Sequence, residues 1–265
     1  RPRGRAGARE KAGMRARRGL AGCLIAGVVL AGLAWGYEEA SVPDGGSLTG
    51  SVKLAGVPPE LSPIPVKKNR DVCGERTESE ALVVGSNKGV KNAEIVVEGV
   101  TKGKPAAREL TLDNAKCLFV PHVSAVMVGA PAKAKNSDPI LHNTHGFLER
   151  ITVFNLALPT QNQVIDITKR LKKPGVVRVM CDAHTHMFAW IVVHDSPYFA
   201  VTGDGGNFKI DGIPPGTYKG TMWHEGFMQR GFDRDGRPLY DEPRIATKEV
   251  SIPAKGSATV EFELK

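Results

Sequence analysis

The strand rhythm of this chain limits its fold more than any other feature. From residue 47 onward, short alternating or β-branched runs recur at 47–54, 93–97, 118–128, 150–154, 164–168, 176–180, 191–194, 207–210, 217–223, 248–252 and 258–264. Turn clusters such as Asp44-Gly-Gly, Lys173-Pro-Gly, Gly203-Asp-Gly-Gly and Pro214-Pro-Gly separate them, and no long segment keeps a helical period. Many short strands with Gly/Pro punctuation predict an all-β chain of sandwiches or barrels. Residues 56–90 and 225–245 break the rhythm. Rich in Pro, Gly and charge, they are predicted to be long surface loops.

A chain of 265 residues has room for one or two modest domains. Its net charge of +8 is unevenly spread: residues 1–36 hold eight Lys/Arg and one acid, leaving 28 basic and 27 acidic groups downstream. That balance removes the electrostatic case for nucleic-acid binding. The basic stretch reads as targeting instead. Met14-Arg-Ala-Arg-Arg forms a start and n-region, residues 20–34 are apolar and uncharged, and Ala34-Trp35-Gly36 suits cleavage before Tyr37. Residues 1–36 are therefore read as an upstream extension and signal peptide, leading to the periplasm or another exported compartment. Membrane contact is expected only through an uncleaved signal anchor.

Export permits disulfides. Of the four cysteines, Cys23 leaves with the signal and Cys181 stands in a motif of its own, so pairing Cys73 with Cys117 is the economical reading. The motif is Cys181-Asp-Ala-His184-Thr-His-Met187, a thiol, an imidazole and a thioether set between the runs 176–180 and 191–194. His142-Asn143 stands upstream, after a turn at Ser137-Asp-Pro139. A soft thiolate, two imidazoles and a weak axial thioether suit copper that cycles between Cu(I) and Cu(II). One type 1 copper ion is thus expected on His142, Cys181, His184 and Met187. Zinc also accepts Cys and His, but has little use for Met187. His186 would be the ligand if the gap after Cys181 were longer, yet Met would then have to lie beyond 187, where Trp190 stands instead. His186 is left to compete for the metal, to form an exposed edge or to titrate. His145, His194 and His224 lack comparable support, and His122 is either core or a neighbour of the site.

These residues resemble the plastocyanin-like cupredoxins, with a ligand loop most similar to that of amicyanin. The similarity covers residues 108–196, through Phe119-Val-Pro-His-Val-Ser-Ala-Val-Met-Val-Gly129, Asn136-Ser-Asp-Pro-Ile-Leu-His142-Asn143 and the Cys181–Met187 loop. It implies a Greek-key β-sandwich, a role for Asn143 in tying the two ligand segments together, and a ligand imidazole that reaches the surface as the electron port. Thr185 and His186 depart from the family pattern, which places Pro and an aromatic there. Residues 197–265 resemble carboxypeptidase-regulatory-like, or transthyretin-like, β-sandwich modules, on Thr202-Gly-Asp-Gly-Gly-Asn-Phe-Lys-Ile210 and Ile213-Pro-Pro-Gly-Thr-Tyr218. Gly46-Ser-Leu-Thr-Gly resembles the opening strand of such a module. The expected domains are a copper domain over 45–196 and a module over 197–265, with the alternative that strands from 45–100 complete the latter.

The expected function is single-electron transfer in the cell envelope, with partners such as c-type cytochromes or a copper/haem oxidoreductase. No enzyme is expected: the sequence shows no Ser-His-Asp setting, paired carboxylates or phosphate loop, and one full copper ligand set. Two competing readings are a Cu(I) carrier and a non-redox envelope module for carbohydrate or protein.

Overall fold

The computed structural model describes residues 36–105 and 109–265; the expected signal peptide lies outside these residues. The described chain is almost wholly β, as its rhythm predicts. In chain order the main strands are β1 (Gly46–Leu54), β2 (Glu94–Glu98), β3 (Leu110–Ala115), β4 (Leu118–Val120), β5 (Val123–Met127), β6 (Ala132–Asn136), β7 (His142–Leu148), β8 (Ile151–Leu158) and β9 (Val164–Asp166). There follow β10 (Gly175–Met180), β11 (Phe188–His194), β12 (Phe199–Val201), β13 (Asn207–Ile213), β14 (Gly216–His224), β15 (Gln229–Phe232), β16 (Pro238–Tyr240), β17 (Arg244–Ile252) and β18 (Ser257–Leu264).

Strands β3–β11 form two facing sheets, ordered β9-β6-β3-β4 and β8-β7-β10-β11-β5. Leu112, Phe119, Phe154, Val177, Val179, Ala189, Ile191 and Val193 are among the residues that fill the space between them. The run predicted as one strand over 118–128 is two. Pro121 has no N–H to give a ladder, and the chain turns there, sending β4 to one sheet and β5 to the other. A second pair of sheets, β12-β2-β14-β17 and β13-β1-β18, encloses a separate core that includes Leu48, Val52, Ile95, Ile210, Met222, Val250 and Phe262. Strands β1 and β2 come from residues 45–100, grouped from the sequence with the copper domain. Here they pair with β12, β13, β14 and β18, so the first sandwich lies inside the chain of the second.

β11 is buried on both faces, which explains its continuous apolar run. Ala189, Ile191 and Val193 point into its own sandwich. On the other face, Trp190 and Val192 join Trp223 of β14 in a small apolar seam, and the two indole rings meet edge to face with centroids 5.5 Å apart. Trp223 is thus a core residue near the end of its strand.

Candidate metal centre

Register brings the distant ligand segments together. β7 runs antiparallel to β10, and their pairing ends with His145 opposite Met180. Residues just before His145 and just after Met180 therefore emerge at the same end of the sheet. Strand period then decides which way they face: His142, Thr144 and Gly146 point inward, while Asn143 and His145 point out. Gly146 is required there, since a Cβ would sit 2.4 Å from the Phe154 ring. The 181–187 loop closes as a continuation of the β10–β11 hairpin. The Cys181 N–H donates to the Met187 carbonyl at 3.2 Å, and the Met187 N–H donates to the His184 carbonyl at 3.0 Å.

The result is a tight cluster of soft and borderline donors. The Cys181 Sγ lies 3.6 Å from His184 Nδ1 and 4.0 Å from His142 Nδ1, and one ligand atom from each residue falls within 4.8 Å of the other two. Met187 is packed in the same core as Cys181. Both imidazoles spend the opposite nitrogen on an acceptor. His142 Nε2–H donates to Asp138 Oδ2 and His184 Nε2–H donates to Asn69 Oδ1, each at 2.9 Å. Those bonds fix the tautomer, so each ring turns an unprotonated Nδ1 lone pair toward the sulfur.

Electrostatics agree with that arrangement. Burial pushes His142 below its usual range against the pull of Asp138. Burial, helped by the neighbouring His142 and His186, takes His184 down to about 4. Neutral imidazole is the form that binds metal. Burial raises the Cys181 thiol, while the N–H groups of Asn143, His184 and Ala183 oppose the rise. The Asn143 N–H is 3.3 Å from the sulfur. A thiol held between two lone pairs, with an N–H already aimed at it, suits a cation that displaces its proton.

The expected residues therefore fall as follows. His142, Cys181 and His184 converge, and Met187 lies beside them with no ligand distance established for its sulfur. Asn143 touches the other ligand segment twice, through its N–H to sulfur and through Oδ1, which accepts from Asp182 N–H at 3.4 Å. Cys73 and Cys117 form a disulfide. His186 is neither an exposed edge nor part of the cluster. It is buried and donates from Nε2 to the Cys117 carbonyl at 3.2 Å. The expectation of a surface imidazole fails as well, since His142 and His184 are 0% and 1% exposed.

The two predicted surface loops are the reason. From 56–90, Asn69 covers the outer nitrogen of His184. From 225–245, the buried Arg237 donates to the Cys181 carbonyl at 2.6 Å. The loops also meet, Lys67 Nζ donating to the Asp235 carbonyl at 2.9 Å. Asn69, Arg237 and Asp138 are the site residues that sequence reasoning missed. Only Asp138 left a signal, a carboxylate four residues before a candidate ligand histidine; its turn is held by wholly buried Asn136, whose Nδ2 donates to the Ile140 and Leu158 carbonyls.

No protein-family model matches the chain, and no curated protein does. Similar solved structures include a copper-containing nitrite reductase from Thermus scotoductus, 20% identical over 34% of this chain and 23% of its own length, with a TM-score of 0.29. A purple cupredoxin from Nitrosopumilus maritimus is 17% identical over 32% of this chain and 100% of its own, also at 0.29. A methionine-to-alanine variant of amicyanin in the Cu(I) state is 20% identical over 34% of this chain and 86% of its own, at 0.27. Likenesses this low support nothing further, and the case for a metal rests on the side chains. No helix among the described residues is long and apolar enough to cross a membrane.

Proposed function

We propose that this chain is an exported type 1 copper protein that passes single electrons between redox partners in the cell envelope. Cys181, His142 and His184 would hold one copper ion, with Met187 as a weak fourth ligand. When bound, that ion supplies a reversible one-electron couple. The chain's own residues hold the donors in one arrangement: Asp138 and Asn69 orient the rings, and the Asn143 N–H stabilises the thiolate. The observation that carries the reading is the pair of Nδ1 atoms facing one buried sulfur, each ring fixed from behind.

Burial of the donors supports electron transfer over a Cu(I) carrier or an enzyme. A Cu(I) carrier hands its ion over by ligand exchange, which needs a ligand within a partner's reach. An enzyme needs an open position for substrate. Ligands 0–1% exposed under two loops favour neither, whereas an electron can tunnel through packed protein. The second sandwich, which the sequence likens to transthyretin-like modules, would serve as the cover, and a c-type cytochrome or a copper/haem oxidoreductase as partner.

The test is a visible and EPR spectrum of the purified protein with added Cu(II). One equivalent should give an intense sulfur-to-copper band in the visible and a narrow copper hyperfine splitting. A colourless protein that holds only Cu(I), or one that takes up no copper, refutes the proposal.

A further inference from the structure

We propose that the Cys73–Cys117 disulfide is a positioning device for the metal centre, holding the acceptors of both ligand imidazoles at once. The inference rests on the metal reading above. At one end, Cys73 closes the short helix Arg70–Cys73, and the Cys73 N–H donates at 2.8 Å to the carbonyl of Asn69. Asn69 is the residue whose side chain receives His184 Nε2–H. Sulfur anchor and acceptor thus share one turn.

At the other end, the N–H groups of Lys116 and Cys117 donate to the two oxygens of Asp138 at 2.7 and 2.8 Å. The same carboxylate receives His142 Nε2–H. The Cys117 carbonyl takes the His186 Nε2–H besides. One covalent bond between residues 44 apart in sequence therefore ties the support of His184 to the support of His142. Asn69 belongs to a long irregular loop, and a covalent tether four residues on, at Cys73, restricts the movements that would let it leave the ring.

The bond has a second effect on the same site. The Cys117 sulfur lies within 4.8 Å of ligand atoms of Asp138 and His142, so a free thiolate there would offer a rival ligand set sharing His142. In the disulfide that sulfur has no thiolate to offer.

The test uses the full chain with Cys73→Ser and Cys117→Ser together, which removes the tie without leaving a thiolate beside His142. In the metal-free protein, imidazole nitrogen shifts should show His142 and His184 locked as Nε2–H tautomers in the wild type and mixed in the double variant. With Cu(II), the double variant should lose the ion to a competing chelator about 10–100-fold more readily, the range seen when supports of metal ligands are removed, and its EPR hyperfine splitting should change. Asn69→Ala, disulfide intact, should loosen His184 alone. A folded double variant that keeps both tautomers and wild-type copper retention overturns the proposal, even if the wild type is blue. Loosened tautomers in a protein whose wild type binds no copper would sink the metal reading and leave the bracket standing. Should the double variant fail to fold, an unchanged His184 tautomer in Asn69→Ala overturns it.

Discussion

Two groups of largely buried histidines in this molecule are built to opposite rules. At the candidate metal centre, His142, His184 and the neighbouring His186 lie close together with a single carboxylate, Asp138, among their hydrogen-bond partners. Burial holds all three below their usual range, His186 at about 4. At the seam between the sandwiches, histidines meet carboxylates instead. His122 contacts Glu225 through Nε2 and lies 3.7 Å from Glu80 through Nδ1, while His194 Nε2 is 2.9 Å from Glu94. Burial would push His122 down, yet Glu225 and Glu80 outweigh it and raise the ring. His224 sits beside this pair, donating to the Glu225 carbonyl at 2.8 Å, and burial keeps it low. A ring that turns an unprotonated nitrogen toward a thiol is prepared for a cation. A ring clamped by carboxylates already has its counter-charge.

That contrast is open to attack by mutation. The largest effect is expected from Cys181→Ser, which should abolish the visible copper band altogether while leaving the seam intact by circular dichroism. Glu225→Gln should do the reverse. It removes the charge that faces His122 inside the protein while leaving an acceptor oxygen, which costs about 3 kcal/mol, read from urea denaturation, with the copper spectrum unchanged. A smaller effect concerns pH. The folded His122 holds its proton more tightly than the unfolded ring at 6.5, so its stabilising contribution is whole below pH 6.5 and falls as pH rises through the higher folded value. The stability gap between wild type and His122→Gln, followed by denaturation from acid to alkaline pH, should narrow in that direction. The smallest effect should come from Asn143→Ala, which removes side-chain bonds to Asp182 and Asn155 and costs about 1 kcal/mol, yet keeps the N–H to sulfur and hence the band. If it bleaches the protein, the side chain matters more than the backbone.

The parts of this structure that were legible in the sequence are those encoded locally. A turn at Ser137-Asp-Pro139 precedes His142, and a strand–loop–strand pattern gathers Cys181, His184 and Met187 in seven residues. The strand β7 itself escaped notice because His, Asn, Thr and Gly do not announce a strand; pairing on both sides with β8 and β10 makes it one. The lid was illegible for a different reason. Asn69 and Arg237 are ordinary polar residues in irregular segments, and they acquire a role only through contacts 115 and 56 residues away. The His122–Glu225 pair spans 103 residues and carries no motif. Loops rich in Pro, Gly and charge are usually exposed, and much of 56–80 is, but single side chains such as Arg237 reach inward to the site.

The nesting of one sandwich within the chain of the other also sets a timetable. All four expected ligands and Asn69 have been synthesised by residue 187, whereas Arg237 and the strands β12–β18 come later. A chain made from its N-terminus thus carries its whole expected donor set before most of the second sandwich exists.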